Sequence, residues 1–290
     1  MITGRIIRVL SGFYTVHDGN NAVVCKARGK FRKDDLKPLV GDICDYTQEG
    51  NNEGYIMKIH PRKNALIRPP VANIDQAIIV VSAKEPDFST VLLDRFLALI
   101  EHEDIEPIIM VTKMDLVNAN DSLFETLDQY RKANYHIITT SQDEVEISDE
   151  IKTLFKNKIT VITGQSGVGK SSFLNRIMPN LELKTGEISN VLGRGKHTTR
   201  HVELFELFGG WVADTPGFSS LELNMTDREL ATSFHDFKMY SASCKFRGCL
   251  HKSEPGCGVK EAVENGDITQ ERYQHYLQFL EEISLKKGKY

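Results

Sequence analysis

The chain begins with short, largely apolar runs of strand length broken by turn signals. Arg5 to Leu10, Phe13 to Val16, Val23 to Lys26, Ile43 to Tyr46 and Tyr55 to Ile59 read as such strands. Asp18-Gly19-Asn20-Asn21 and Glu49-Gly50-Asn51-Asn52 separate neighbouring runs with hairpin chemistry. Five such strands within residues 1–62 predict a small β-barrel, of OB or SH3-like type.

The pattern changes across Pro61-Arg62-Lys63-Asn64 and Arg68-Pro69-Pro70. Beyond them the apolar runs become continuous and alternate with helical segments, as in a parallel sheet buried on both faces. Ala77 to Val81, Ile108 to Val111, Ile137 to Thr140 and Ile159 to Thr163 read as strands. Thr90 to Ile100, with Ser89 as N-cap, and Leu123 to Arg131 read as helices. Val202 to Phe208 and Trp211 to Ala213, parted by Gly209-Gly210, read as a hairpin. After Gly217, Thr226 to Phe237 reads as one helix, Cys244 to Cys257 as irregular, and Ile268 to Leu285 as a long amphipathic helix. The expected organisation is three domains, at residues 1–62, 63–220 and 221–290.

Composition changes this picture little: 40% hydrophobic and 26% charged residues are those of an ordinary soluble protein. No run of about 18 apolar residues occurs, and Arg5 and Arg8 break the N-terminal segment, so a cytoplasmic protein without a membrane partner is expected. The net charge of −4 excludes a uniformly basic nucleic-acid binder but averages over a gradient. Lysine and arginine outnumber acids by ten to seven in residues 1–62, whereas acids lead by 22 to 16 in 63–220 and by 11 to 10 in 221–290. Within the basic segment, Arg28-Gly29-Lys30-Phe31-Arg32-Lys33 has the make-up of a loop that tracks a phosphate backbone while Phe31 stacks a base. Five cysteines, an odd number in a reduced compartment, argue against a disulfide framework. Cys25 and Cys44 lack ligands at metal spacing and are expected in the core.

Chemistry enters with Gly164-Gln165-Ser166-Gly167-Val168-Gly169-Lys170-Ser171, a G-x-x-x-x-G-K-[ST] phosphate loop between an apolar strand and a helix. Its glycines let backbone N–H groups face phosphate oxygens, Lys170 reaches the terminal phosphates, and the Ser171 hydroxyl suits Mg²⁺. Asp214-Thr215-Pro216-Gly217 matches D-x-x-G, in which Asp214 reaches Mg²⁺ through water and the Gly217 N–H meets the γ-phosphate. Thr112-Lys113-Met114-Asp115 resembles the guanine-reading N-K-x-D: Asp115 accepts from the ring N–H and amino group of guanine, and the stem of Lys113 covers the ring. Thr112 stands where that pattern has Asn, so a hydroxyl must brace the loop, with a modest loss of base affinity expected. Ser141, after the next strand, is a candidate for the weaker base-contacting loop.

Here the base-reading motif precedes the phosphate loop, the reverse of the ordinary order, which implies a circularly permuted sheet. Gly193-Arg194-Gly195-Lys196-His197-Thr198-Thr199-Arg200 occupies the place of the first switch, where Thr198 or Thr199 would close over Mg²⁺. Phe218 stands where many GTPases carry a water-orienting Gln, so turnover should be slow unaided, and His197 is the nearest candidate to assist. Near the C-terminus, Cys244, Cys249, His251 and Cys257 fall within 14 residues among turn-forming glycines, a donor set for one closed tetrahedral Zn²⁺ site.

With these motifs in this order, the whole chain resembles the ribosome small-subunit-dependent GTPases, the RsgA (YjeQ) family. The resemblance implies an OB-fold barrel, a permuted P-loop GTPase domain and a C-terminal helical zinc-binding domain. It implies a monomer that binds the small (30S) ribosomal subunit late in assembly, contacts 16S rRNA through the OB and zinc domains, and hydrolyses GTP to GDP faster on that subunit. The family's nucleotide contacts would fall on Thr112, Lys113, Met114 and Asp115 and on Gly164 to Ser172, Ser172 included. Its zinc ligands would be Cys244, Cys249, His251 and Cys257, and its hydrolytic switch residue His197.

Overall fold

The computed structural model describes residues 1–27, 31, 37–49, 53–66, 69–141, 147–179, 202–213 and 221–287. His197, Thr198, Thr199, Asp214, Gly217 and Phe218 lie outside the described residues, as does most of the basic loop between Arg28 and Lys33. Two compact units form: one gathers Met1–Ala77, Val145–Ser166 and Lys170–Ser219, the other Ile78–Glu144, Gly167–Gly169 and Ser220–Tyr290.

The first unit starts with the expected strands: β1 (Ile2–Leu10), β2 (Phe13–His17), β3 (Ala22–Ala27), β4 (Ile43–Glu49) and β5 (Glu53–Ile59). They close in the order β1-β2-β3-β5-β4, with β1 antiparallel to β2 and β4, and β3 running parallel to β5. This is the OB alternative. Alternate residues Ile6, Tyr14, Val16, Val23, Cys25, Cys44, Tyr46 and Ile56 fill the barrel. Burial pushes the Cys25 and Cys44 thiols up to about 11 and about 12, as suits core residues without a ligand role. Phe31 also sits in this core, 9% exposed, so it is not available to stack a base and that expectation is corrected.

Beyond the barrel the chain runs through a short antiparallel ribbon, β6 (Ala65–Leu66) and β7 (Val71–Ala72), into β8 (Gln76–Ser82), α1 (Thr90–His102) and β9 (Glu106–Thr112). A 3-10 turn at Met114–Leu116 leads to α2 (Leu123–Lys132), β10 (His136–Thr139), α3 (Asp149–Phe155), β11 (Ile159–Thr163) and α4 (Lys170–Ile177). Then come β12 (Leu204–Leu207), β13 (Gly210–Ala213) and four helices: α5 (Asp227–Ala231), α6 (His235–Ser241), α7 (Gly258–Glu264) and α8 (Gln270–Lys287).

In the first unit β11 pairs parallel with β13, which pairs antiparallel with β12. The hairpin turn is Phe208-Gly209; Gly210 pairs with Leu207 as part of β13 and has no room for a side chain, since a Cβ there would lie 1.7 Å from the Phe155 carbonyl oxygen. The sequence pattern missed α3, where only Ile151 and Phe155 are buried and acidic neighbours mask the period. In the second unit β10 runs parallel to β9, which lies beside β8, and all seven residues of β8 are buried. Ser89 caps α1 by accepting the Leu92 N–H at 3.4 Å.

The expected single helix over Thr226 to Phe237 is two. Thr226 caps α5 in a reciprocal box with Glu229, and the chain turns extended at Phe234 before α6. The turn sinks the Phe234 ring against Phe237, Tyr276 and Phe279 at centroid distances of 5.0, 5.7 and 6.4 Å. Buried aromatic area outweighs the few helical hydrogen bonds a continuous helix would add. Beside this cluster, buried Arg272 of α8 bonds Asp236 at 2.7 Å and also engages Asp94 of α1 and the Tyr135 hydroxyl. Both carboxylates are buried, so removing the guanidinium would take away the cation they share and leave Asp94 only Tyr130 and His275, a loss on the order of 3–5 kcal/mol.

Candidate nucleotide site and candidate metal centre

β11, buried at all five positions, delivers Gly164, and α4 opens on Lys170, so the phosphate loop has the strand and helix its motif requires. Gly167 and Gly169 adopt φ of +83° and +94°, a left-handed backbone that a side chain resists. The Lys170 ammonium donates to the carbonyls of Gly164, at 2.7 Å, and Gln165. Burial pulls its pKa down to about 8. A phosphate beside it would favour the charged form and offer a stronger acceptor than either carbonyl. Ser171 stands in the first turn of α4 and is half-buried.

The base-reading segment begins where β9 ends. Thr112 is buried, and its hydroxyl donates to the Val168 carbonyl of the phosphate loop at 2.6 Å, with the Val81 carbonyl at 3.3 Å. A Cβ on Gly169 would sit 3.5 Å from that same hydroxyl oxygen. The Met114 N–H donates to Thr140 at 3.2 Å, so the chain leading to Ser141 borders the motif, as the sequence order suggests. Lys113 takes a left-handed φ of +58° and donates to the Glu85 carbonyl, while Asp115 is exposed on the 3-10 turn. Sequence reasoning missed the Glu85-Pro86 turn, which also lies 3.8 Å from the position a Cβ would take on Gly167. Only the Pro punctuation after β8 could have flagged it.

Thr112→Val keeps the shape and deletes the donor to Val168. Because an orphaned buried carbonyl costs about 1–3 kcal/mol of stability, the Tm should fall, and GDP affinity measured by calorimetry should fall as the two loops loosen. Unchanged affinity would show that the bond does not hold the two loops for nucleotide.

In the second unit Cys244, Cys249, His251 and Cys257 converge, their candidate ligand atoms all within 4.8 Å of one another. The Cys244 and Cys257 sulfurs are 3.9 Å apart, and His251 Nδ1 lies 3.6 and 3.4 Å from them. A tetrahedron with Zn–S of about 2.3 Å and Zn–N of about 2.0 Å has S···S edges near 3.8 Å and N···S edges near 3.5 Å, so Cys244, His251 and Cys257 stand at zinc spacing, and Cys249 completes a donor set of the right chemistry within 4.8 Å of them. Burial, reinforced by the neighbouring thiols, pushes Cys249 up to about 12, and burial holds His251 toward its neutral form.

The shell around these ligands was not legible as chemistry. Burial opposes ionisation of Glu254, yet the N–H groups of Leu250, Lys252 and Ser253 bring its pKa down to about 2 and pin the loop through the carboxylate. From α8, Tyr273 donates to the His251 carbonyl at 2.7 Å and Tyr276 to that of Leu250 at 2.6 Å. Each partner is more than 20 residues away in sequence, so only the fold could reveal the pairing.

Comparison with known proteins follows the same layout. Residues 3–56 match the RsgA N-terminal domain and residues 59–224 the RsgA GTPase. A protein of Oceanobacillus iheyensis described as small ribosomal subunit biogenesis GTPase RsgA 2 is 53% identical over 295 residues, covering both chains completely. A Bacillus subtilis protein described as small ribosomal subunit biogenesis GTPase RsgA is 52% identical over 299 residues, with both chains again fully covered. The crystal structure of YloQ, described as a circularly permuted GTPase, superposes with a TM-score of 0.85 at 47% identity, covering 99% of this chain and 96% of that one. YjeQ from Thermotoga maritima gives 0.83 at 40% identity, covering 97% and 98%. Identity at this level over the full length shows the kinship: the chain belongs to the RsgA family of circularly permuted GTPases.

Proposed function

We propose that this GTPase works on the small (30S) ribosomal subunit during its assembly, and that the subunit stimulates its hydrolysis of GTP to GDP and phosphate. The observation that carries the nucleotide half is the Thr112–Val168 hydrogen bond at 2.6 Å, which joins the base-reading segment to the phosphate loop. On this reading Gly164 to Ser172 and Lys170 hold the phosphates, and Asp115 selects guanine. Ser171 and Asp214 hold Mg²⁺, which neutralises charge on the phosphates, together with Thr198 or Thr199. Gly217 meets the γ-phosphate, and His197 supports hydrolysis where Phe218 cannot orient water.

Cys244, Cys249, His251 and Cys257 hold one Zn²⁺, which cross-links the loop ahead of α7. The reading keeps three domains at 1–62, 63–220 and 221–290, with the barrel and the zinc-bearing domain facing 16S rRNA. The segment after Gly217, which senses the γ-phosphate, runs directly into the zinc-bearing domain in this permuted order, so nucleotide state can bias rRNA docking. The names of the relatives, all small-subunit biogenesis GTPases, support the partner. The test is GTP turnover by the full chain with purified small subunits. Stimulation that fades as salt rises is expected, and turnover equal with and without subunits would overturn the proposal.

A further inference from the structure

We propose that the turn from Ser82 to Pro86 presets Lys113 for the guanine ring: the Glu85 carbonyl holds the lysine head before nucleotide arrives, and Ser82 positions that carbonyl. The inference deepens the guanine reading above and rests on it. β8 ends at Ser82, and the Ala83 N–H still bonds the Thr112 carbonyl of β9 at 2.9 Å. The turn therefore leaves from beside the strand end that delivers Lys113.

Its shape is fixed from several sides. The Ser82 hydroxyl, on a residue only 2% exposed, donates to the Pro86 carbonyl at 2.5 Å and closes the turn. The Lys84 ammonium reaches Asp121 at 3.1 Å, and Asp121 accepts the Leu123 N–H at 3.0 Å where α2 begins. Lys113 itself donates to the Glu85 carbonyl. Glu85 and Lys113 have φ of +56° and +58°, a region that residues with a side chain seldom adopt. Such backbone persists where the surroundings over-determine it, and it gathers at ligand sites. Both partners of one hydrogen bond are held in this way, so the contact is built rather than incidental.

What the tie does follows from the chemistry of lysine. A loose lysine samples many rotamers, and ordering it over the base would cost binding energy. With the ammonium held by a backbone carbonyl, the apolar stem is laid out in advance and the ring meets an ordered surface. The head keeps its partner when nucleotide binds, because the stem and not the charge covers the ring. A carbonyl has no net charge, so it holds the ammonium without neutralising a cation beside an anionic ligand. Ser82 is thus a positioning residue: buried, it acts through the Glu85 carbonyl and so through Lys113.

The test is calorimetric binding of GDP and ADP by the full chain, as wild type, Ser82→Ala, Lys113→Met and the double variant. Methionine keeps an unbranched apolar stem and lacks the ammonium. Each single variant should lower GDP affinity about two- to tenfold, the range expected when one long side chain must be ordered on binding. The double variant should bind GDP as Lys113→Met does, because Ser82 has nothing left to position once the ammonium is gone. Wild-type affinity in Ser82→Ala, or losses that multiply in the double variant as a general loosening would make them, would overturn the proposal. Should Ser82→Ala not fold, Lys113→Met decides: weakened GDP binding supports the tie, and wild-type affinity overturns it. A wild type that prefers ADP would sink the guanine reading and this inference with it, whereas a GDP-preferring wild type beside an unaffected Ser82→Ala would sink only the turn.

Discussion

Asp115→Asn is expected to lower GDP affinity by about a hundredfold or more while leaving the protein folded. The carboxylate would accept two hydrogen bonds from guanine, each charge-assisted and worth about 1.5–3 kcal/mol. Asparagine offers one acceptor and turns an N–H₂ toward guanine's amino group, so one bond is lost and a donor faces a donor. Asp115 is exposed on its 3-10 turn, so the substitution disturbs no core packing. Xanthosine diphosphate, whose C2 carbonyl accepts from that amide, should recover binding in the variant. A merely structural defect would not be rescued in this way. Competition of GDP, ADP and xanthosine diphosphate against a fluorescent nucleotide reads all three. Undiminished GDP binding, or a wild type that prefers ADP, would remove Asp115 from the base-reading role.

Cys257→Ser should release the metal and loosen the chain around it. Serine is close in size, so lost packing is a minor term; the loss is of one thiolate from four ligands. Structural zinc contributes apparent binding free energies of about 10–16 kcal/mol in small domains, and that energy is folding energy. Cys257 also opens α7, and His251 packs edge-on against Phe237 at 6.0 Å, so the disturbance should reach the aromatic cluster. Metal content below one zinc per chain, with a lowered Tm and a weakened near-ultraviolet aromatic signal, is the expected result. A variant that keeps one zinc per chain would refute the four-ligand assignment.

What could be read from the sequence was what local chemistry encodes. The barrel strands were visible because short apolar runs lie between turn signals, and in places, as with Tyr14 and Val16 beside Thr15 and His17, or Cys44 and Tyr46 beside Asp45 and Thr47, buried residues alternate with polar ones. The phosphate loop was visible because its glycines and lysine have few other reasons to share that spacing, and the cysteine cluster for the same reason. Features set by distant partners were hidden. The break between α5 and α6 follows from where Phe234 finds Tyr276, 42 positions later, and the bracing of His251 from Tyr273 on another helix. Phe31 misled because a basic loop is a reasonable place for a stacking ring, and only the barrel's closure shows that the ring is needed inside. Glu254 looked like a surface acid until the three backbone N–H groups around it were placed.

The central claim, a GTPase activated by the small ribosomal subunit, is tested most directly by phosphate release from GTP under multiple turnover. The full chain would be measured alone, with purified small subunits and with purified large subunits, at two salt concentrations. The account predicts slow release alone, clear stimulation by small subunits only, and loss of that stimulation at high salt. Release that is equally fast in all three mixtures at both salts would contradict it.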